Sequence, residues 1–254
     1  MHVHIPITAQ ECLEGDLHIP TGAKGIVLFA HGSGSSRHSP RNRFVASVLN
    51  KGGLATLLID LLTLEEERVD EQTGQLRFDI HLLTERLCSV TDWLLTCKQT
   101  QSLHVGYFGA STGAAGALCA AARMGKAVRA VVSRGGRPDL AGAALSQVVS
   151  PTLLIVGGSD IPVIGMNEEA LQKTRETGFA TFFSRTRGKL WTKGETSGNK
   201  LQVTRILVDC DEDTVLIKAN ALGNGVTCHT GERSCFFREI SSTDSRSSKG
   251  ITGR

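Results

Sequence analysis

No stretch of this 254-residue chain approaches the roughly twenty apolar residues that a membrane-spanning helix requires. Its first residues, Met-His-Val-His-Ile-Pro, lack the basic segment and apolar run of a secretory signal. A soluble, unexported protein is expected. Excess charge is also missing: the formal net charge is +3, too small to argue for a nucleic-acid polymer as partner. The seven cysteines are odd in number, and Cys12, Cys88, Cys97 and Cys119 are scattered without framework spacing. No disulfide scaffold is expected from them, and they read as core filler in a reducing cytoplasm. What the chain does have is 40% hydrophobic residues, enough for a real core in one large domain or two small ones.

From residue 25 to about 156, short apolar runs alternate with amphipathic segments. Residues 25–30, 54–60, 105–108, 128–133 and 152–156 read as buried strands with helices between them. That alternation predicts an α/β fold with a parallel sheet covered on both faces. After about residue 165 the texture changes. Residues 167–176 read as a helix capped by Asn167, followed by strands at 179–184, 203–209 and 215–219 of a smaller β-rich α+β unit with antiparallel pairing. The expected division is residues 1–160, residues 161–240, and a disordered tail of Ser, Thr, Gly and charge at 241–254.

Gly109-Ala110-Ser111-Thr112-Gly113 follows a predicted strand and opens a small-residue helix, the context of a nucleophile elbow. His31-Gly32-Ser33-Gly34 follows the first strong strand, where a backbone amide completes an oxyanion hole in such enzymes. Asp160 follows the last strand of this half. With the stretches SRGGRPDL and PTLLIVGGSD, these motifs make residues 1 to about 164 resemble the dienelactone-hydrolase-like branch of the α/β hydrolases. The resemblance implies a serine, an acid and a histidine in that chain order, the histidine following one further strand. That strand and its histidine read as absent, so this half is expected to be truncated. Only His229 lies beyond Asp160, and His38, His81 and His104 read as solvent-facing or structural. Ser111, Asp160 and His31 stand as an alternative hydrolase site, and without a base Ser111 is a poor nucleophile.

A second constellation lies in the other half. Asp209-Cys210-Asp211-Glu212-Asp213 is followed by Cys228-His229-Thr230-Gly231 and then Cys235. A run of aspartates is commonly a solvated turn, and a free cysteine a small buried hydrophobe. Cys210 inside the acidic run, with two further cysteines flanking a turn, favours a metal site. Three thiolates suit zinc with a fourth position left for water, while Asp209, Asp211 and Asp213 at alternate positions suit a harder cation such as magnesium. Upstream, residues 182–198 interleave arginine and lysine with hydroxyls and glycines, a composition suited to gripping phosphates.

The segments MNEEALQKTRETG, FFSRTRGKLWTKGETSG, DCDED and CHTGERSCFFR make residues 165–238 closely similar to phosphoribosyl-AMP cyclohydrolase, which opens the adenine ring in histidine biosynthesis. The resemblance implies zinc on Cys210, Cys228 and Cys235, magnesium on Asp209, Asp211 and Asp213, and a homodimer with the site across the subunit interface. Hydrolysis would break the ring between N1 and C6, with His229 moving a proton. Arg185, Arg187 and Lys193 are the candidates for the substrate phosphates, with Trp191, Glu195 and Ser197 completing the binding set. Two departures stand out. The family's leading β-hairpin has no separate counterpart, unless residues 152–156 and 161–164 pair as a shortened one. Asn199 also stands where many members carry histidine. The expectation is a cyclohydrolase; the alternatives are a serine carboxylester or lactone hydrolase using Ser111, and an inactive zinc-stabilised fusion.

Overall fold

In a computed structural model, residues 1–175 and the strands at 180–186 and 189–193 are described, with side chains through residue 173. Nine strands form one sheet: β1 His2–Pro6, β2 Cys12–His18, β3 Gly25–Ala30, β4 Ala55–Ile59, β5 His104–Ala110, β6 Val128–Arg134, β7 Thr152–Gly157, β8 Ala180–Thr186 and β9 Lys189–Lys193. Their order is β1-β2-β4-β3-β5-β6-β7-β8-β9. The six strands from β3 to β8 are mutually parallel, β1 and β2 are added antiparallel at one edge, and β9 pairs antiparallel at the other.

Five helices cover the sheet: α1 Pro40–Lys51, α2 Leu64–Thr73, α3 Ile80–Thr96, α4 Thr112–Met124 and α5 Ile161–Arg175. Side chains alternate between faces with the period of two that a pleated strand imposes. Ile26, Leu28, Leu57, Ile59, Val105, Tyr107, Leu154 and Val156 pack with α3, α4 and α5. Phe29, Leu58, Phe108, Val132, Leu153 and Ile155 point the other way, with Val45 and Leu49 of α1. The two starts that matter most to the cavity described below are capped by side chains. Thr63 and Glu66 form a reciprocal capping box on α2, and Asp79 accepts from the Leu82 amide at the start of α3.

All five strands expected in the first half are present. Strands β1 and β2 were not expected, because HVHIP and CLEGDLH bury one face only and carry too much polarity to read as core. Four further expectations are corrected. Ile161–Ile164 is not half of a hairpin but the first turn of α5, whose Ile164 amide donates to the Asp160 carbonyl at 2.9 Å. Asn167 does not cap that helix: it is buried within it, and its Nδ2 donates to the carbonyls of Val163 at 2.8 Å and Gly136 at 3.1 Å. The strand thought absent from the hydrolase-like half is present as β8, parallel to β7, because α5 supplies the crossover that parallel pairing requires. Cys12 is exposed rather than core filler, although Cys88 is buried. The sheet runs without a break across residue 160, and the expected strands at 203–209 and 215–219 and the tail lie outside the described residues. Among the described residues no helix is long and apolar enough to cross a membrane.

Candidate functional site

Ser111 sits between β5 and α4 with φ 50° and ψ −123°, the sole non-glycine with positive φ among the described residues. A non-glycine backbone held there costs about 1–3 kcal/mol and persists only where its surroundings over-determine it. The flanking glycines show how. A Cβ on Gly109 would lie 2.4 Å from the Ala114 Cα, and one on Gly113 would lie 2.2 Å from the His31 carbonyl oxygen. Strand β5, the turn, α4 and the loop after β3 are therefore packed backbone to backbone. The Ser33 amide donates to the Thr112 hydroxyl at 3.1 Å, fastening the HGSG loop to the elbow. The Arg137 amide donates to the Ser111 carbonyl at 3.2 Å from the other side.

Among the described residues, neither of the other two residues of the expected hydrolase site is hydrogen-bonded to the Ser111 side chain. The Leu61 amide donates to His31 Nε2 at 3.1 Å, so Nε2 accepts and the proton sits on Nδ1, which donates to the Gly32 carbonyl at 2.9 Å. Burial pushes the imidazole below its ordinary value, against the opposing Gly32 bond and the Asp60 charge. With both nitrogens engaged and the ring neutral, His31 props up the loop and takes no proton from Ser111. Asp160 is exposed at the end of β7, its backbone making the turn into α5. His38, His81 and His104 are exposed, as expected. Among the described residues Ser111 Oγ has no hydrogen-bond partner.

Sequence reasoning missed the acids beside the elbow. A cavity of about 340 Å³ lies against the HGSG loop, walled by Glu67, Asp70, Glu71 and Arg77. Burial and the charges of Asp60, Glu71 and Asp70 push the Glu67 carboxyl up, with Arg37 opposing. Burial would also raise Asp70, but hydrogen bonds from Arg77 hold it below the usual carboxylate range. Arg37 is tied to Asp60 through its amide at 2.7 Å and its guanidinium. The capping box announces α2, yet nothing in a sequence says which face of α2 meets the loop.

Of the second constellation, Arg185 lies on β8 and Trp191 and Lys193 on β9, with residues 185 and 190 paired across the antiparallel ladder. Arg187, Glu195, Ser197, Asn199, Asp209, Cys210, Asp211, Asp213, Cys228, His229 and Cys235 lie outside the described residues.

Strand order, elbow and loop define an α/β hydrolase of the dienelactone-hydrolase type. The fold matches the crystal structure of dienelactone hydrolase from Anabaena variabilis with a TM-score of 0.70 and 59% identity, over 73% of this chain and 86% of that one. Residues 163–237 match the family described as phosphoribosyl-AMP cyclohydrolase. The cyclohydrolase of Brucella anthropi is 50% identical over 96 residues, 38% of this chain and 68% of that protein. Through this second part, the chain belongs to the phosphoribosyl-AMP cyclohydrolase family. A Mycobacterium tuberculosis protein named as a phosphoribosyl transferase is 62% identical over 156 residues, 61% of this chain. The chain spans only about a third, 34%, of that relative's length.

Proposed function

We propose that this protein hydrolyses phosphoribosyl-AMP, opening the adenine ring between N1 and C6. The family match over residues 163–237 carries the reading, because that segment contains the basic stretch, the acidic run and all three clustered cysteines. The donor chemistry fits the metals: Cys210, Cys228 and Cys235 would hold zinc, and Asp209, Asp211 and Asp213 magnesium. Zinc, when bound, supplies Lewis acidity and an activated water at neutral pH. The chain's own residues do the rest. Arg185, Arg187 and Lys193 bind the phosphates, with arginine favoured for bidentate contact. Trp191, Glu195 and Ser197 position the nucleoside, and His229 moves a proton between the attacking water and the departing ring nitrogen. A homodimer in the cytoplasm is part of the same proposal.

The test is ring opening of phosphoribosyl-AMP followed by ultraviolet absorbance with zinc and magnesium supplied. Cys228→Ala is expected to lose at least a hundredfold in rate, since removing a metal ligand exceeds the ten- to hundredfold typical of an outer-shell change. Ser111→Ala is expected to keep the wild-type rate. Equal rates in wild type and Cys228→Ala would sink the proposal.

A second reading, a carboxylester or lactone hydrolase acting through Ser111, is favoured by the elbow geometry alone. The neutral, doubly engaged His31 and the exposed Asp160 argue against it. Labelling of Ser111 by a fluorophosphonate probe would revive it, because that reaction requires an activated serine.

A further inference from the structure

We propose that His2, His4 and Glu14 form a binding site for a divalent transition-metal ion of the zinc type, clipping the edge strand β1 to β2. His2 and His4 are two residues apart and so share one face of β1. The antiparallel register sets His4 opposite Glu14, His2 opposite Asp16, and Pro6 opposite Cys12. The imidazoles converge on one carboxylate: His4 Nδ1 is 2.8 Å from Glu14 Oε1, and His2 Nε2 contacts Glu14 Oε2. One donor atom from each of the three residues lies within 4.8 Å of the other two.

Two further contacts distinguish this group from an ordinary surface pair. His2 Nδ1 lies 3.5 Å from Asp16 Oδ1, and a carboxylate behind the second ring nitrogen is the arrangement that orients metal-binding histidines. Cys12 Sγ lies 4.0 Å from His4 Nδ1, within reach of a fourth ligand position. Two imidazoles with one carboxylate form a three-ligand set suited to zinc. Tetrahedral ligands about 2.1 Å from zinc are about 3.4 Å apart, so the 2.8 Å His4–Glu14 contact must widen by about 0.6 Å and the shorter His2–Glu14 contact by more. Both imidazoles are exposed and free to make that movement. The competing reading is a network of ion pairs around a half-buried Glu14, with Arg37 Nη2 3.9 Å from its Oε2, which would add little to stability where exposed.

The site shares no residue with the cysteine cluster, and the test separates them by using the full chain in a Cys228→Ala background. Zinc retained after equilibrium dialysis is counted by mass spectrometry with and without His2→Ala and His4→Ala. The expected result is one zinc equivalent lost with the two histidines, and a zinc-dependent rise in melting temperature that disappears with them. Glu14→Gln, which keeps size and shape, is expected to weaken retention at least tenfold. Should the histidine variant misfold by circular dichroism, Glu14→Gln decides alone. Equal retention with and without these side chains overturns the proposal, whatever the cyclohydrolase assay gives.

Discussion

At Gly113 a single methyl group would meet two backbone carbonyls, 2.2 Å from His31 O and 2.5 Å from Ala30 O. Neither oxygen can swing away as a flexible side chain would. Gly113→Ala is expected to cost about 3 kcal/mol, the upper end for overpacking. Gly157→Ala, with nothing within 4 Å of the added atom, should stay within about 0.5 kcal/mol. Urea unfolding of the two variants checks both. The glycines of GASTG and the HGSG loop were legible in the sequence because their chemistry is local. The role of His31 was not, since it depends on the Leu61 amide thirty residues away.

Helix α2 and the turn after it are joined through one ion pair. Arg77 donates from its amide to Asp70 Oδ1 at 3.1 Å, from Nε to Oδ2 at 2.5 Å, and from Nη2 to the Asp70 carbonyl at 2.9 Å. The folded state lowers the Asp70 carboxyl, so its contribution is complete above the unfolded value near pH 4 and is lost as pH falls through the folded one. Asp70→Asn is therefore expected to melt below wild type at pH 7, with the gap narrowing as pH falls below the unfolded value near 4. Thermal melts across that range would show it, and a constant gap would refute the assignment. At this scale the strands of the parallel sheet were legible because burial on both faces leaves continuous apolar runs. Strands β1 and β2 were not, because the outward face of each carries histidine and acid. Helix α5 was legible only in part: MNEEALQKTR suggests a start at Asn167, whereas the helix begins at Ile161 and packs Val163 and Ile164, as well as Ala170 and Leu171, against the core.

Among the described residues, the opening part of the cyclohydrolase match shares one sheet with the hydrolase-like part. Helix α5 packs Ala170 and Leu171 into the same core as Leu154 and Val156, and β8 continues the parallel ladder from β7. A chain ending at residue 160 would leave the β7 edge unpaired and this apolar surface bare, a combination that invites edge-to-edge association. Such a fragment is expected to elute as aggregate on size exclusion. A monodisperse, cooperatively melting fragment would show that the hydrolase-like part needs nothing beyond residue 160. The cysteines and aspartates at 209–235 lie outside the described residues, and their grouping rests on ligand type and spacing alone.

The cyclohydrolase match begins at residue 163, inside α5, so the seam between two ancestries does not fall in a linker. Helix α5 from residue 163 onward covers the hydrolase-like sheet, and β8 and β9 extend it, while this stretch carries the other family's opening motifs. A change there is screened twice, once by each inheritance. Among chains that share this joint, the described residues of that stretch should drift more slowly than the segments on either side, although Cys210, Cys228 and Cys235 all lie beyond it.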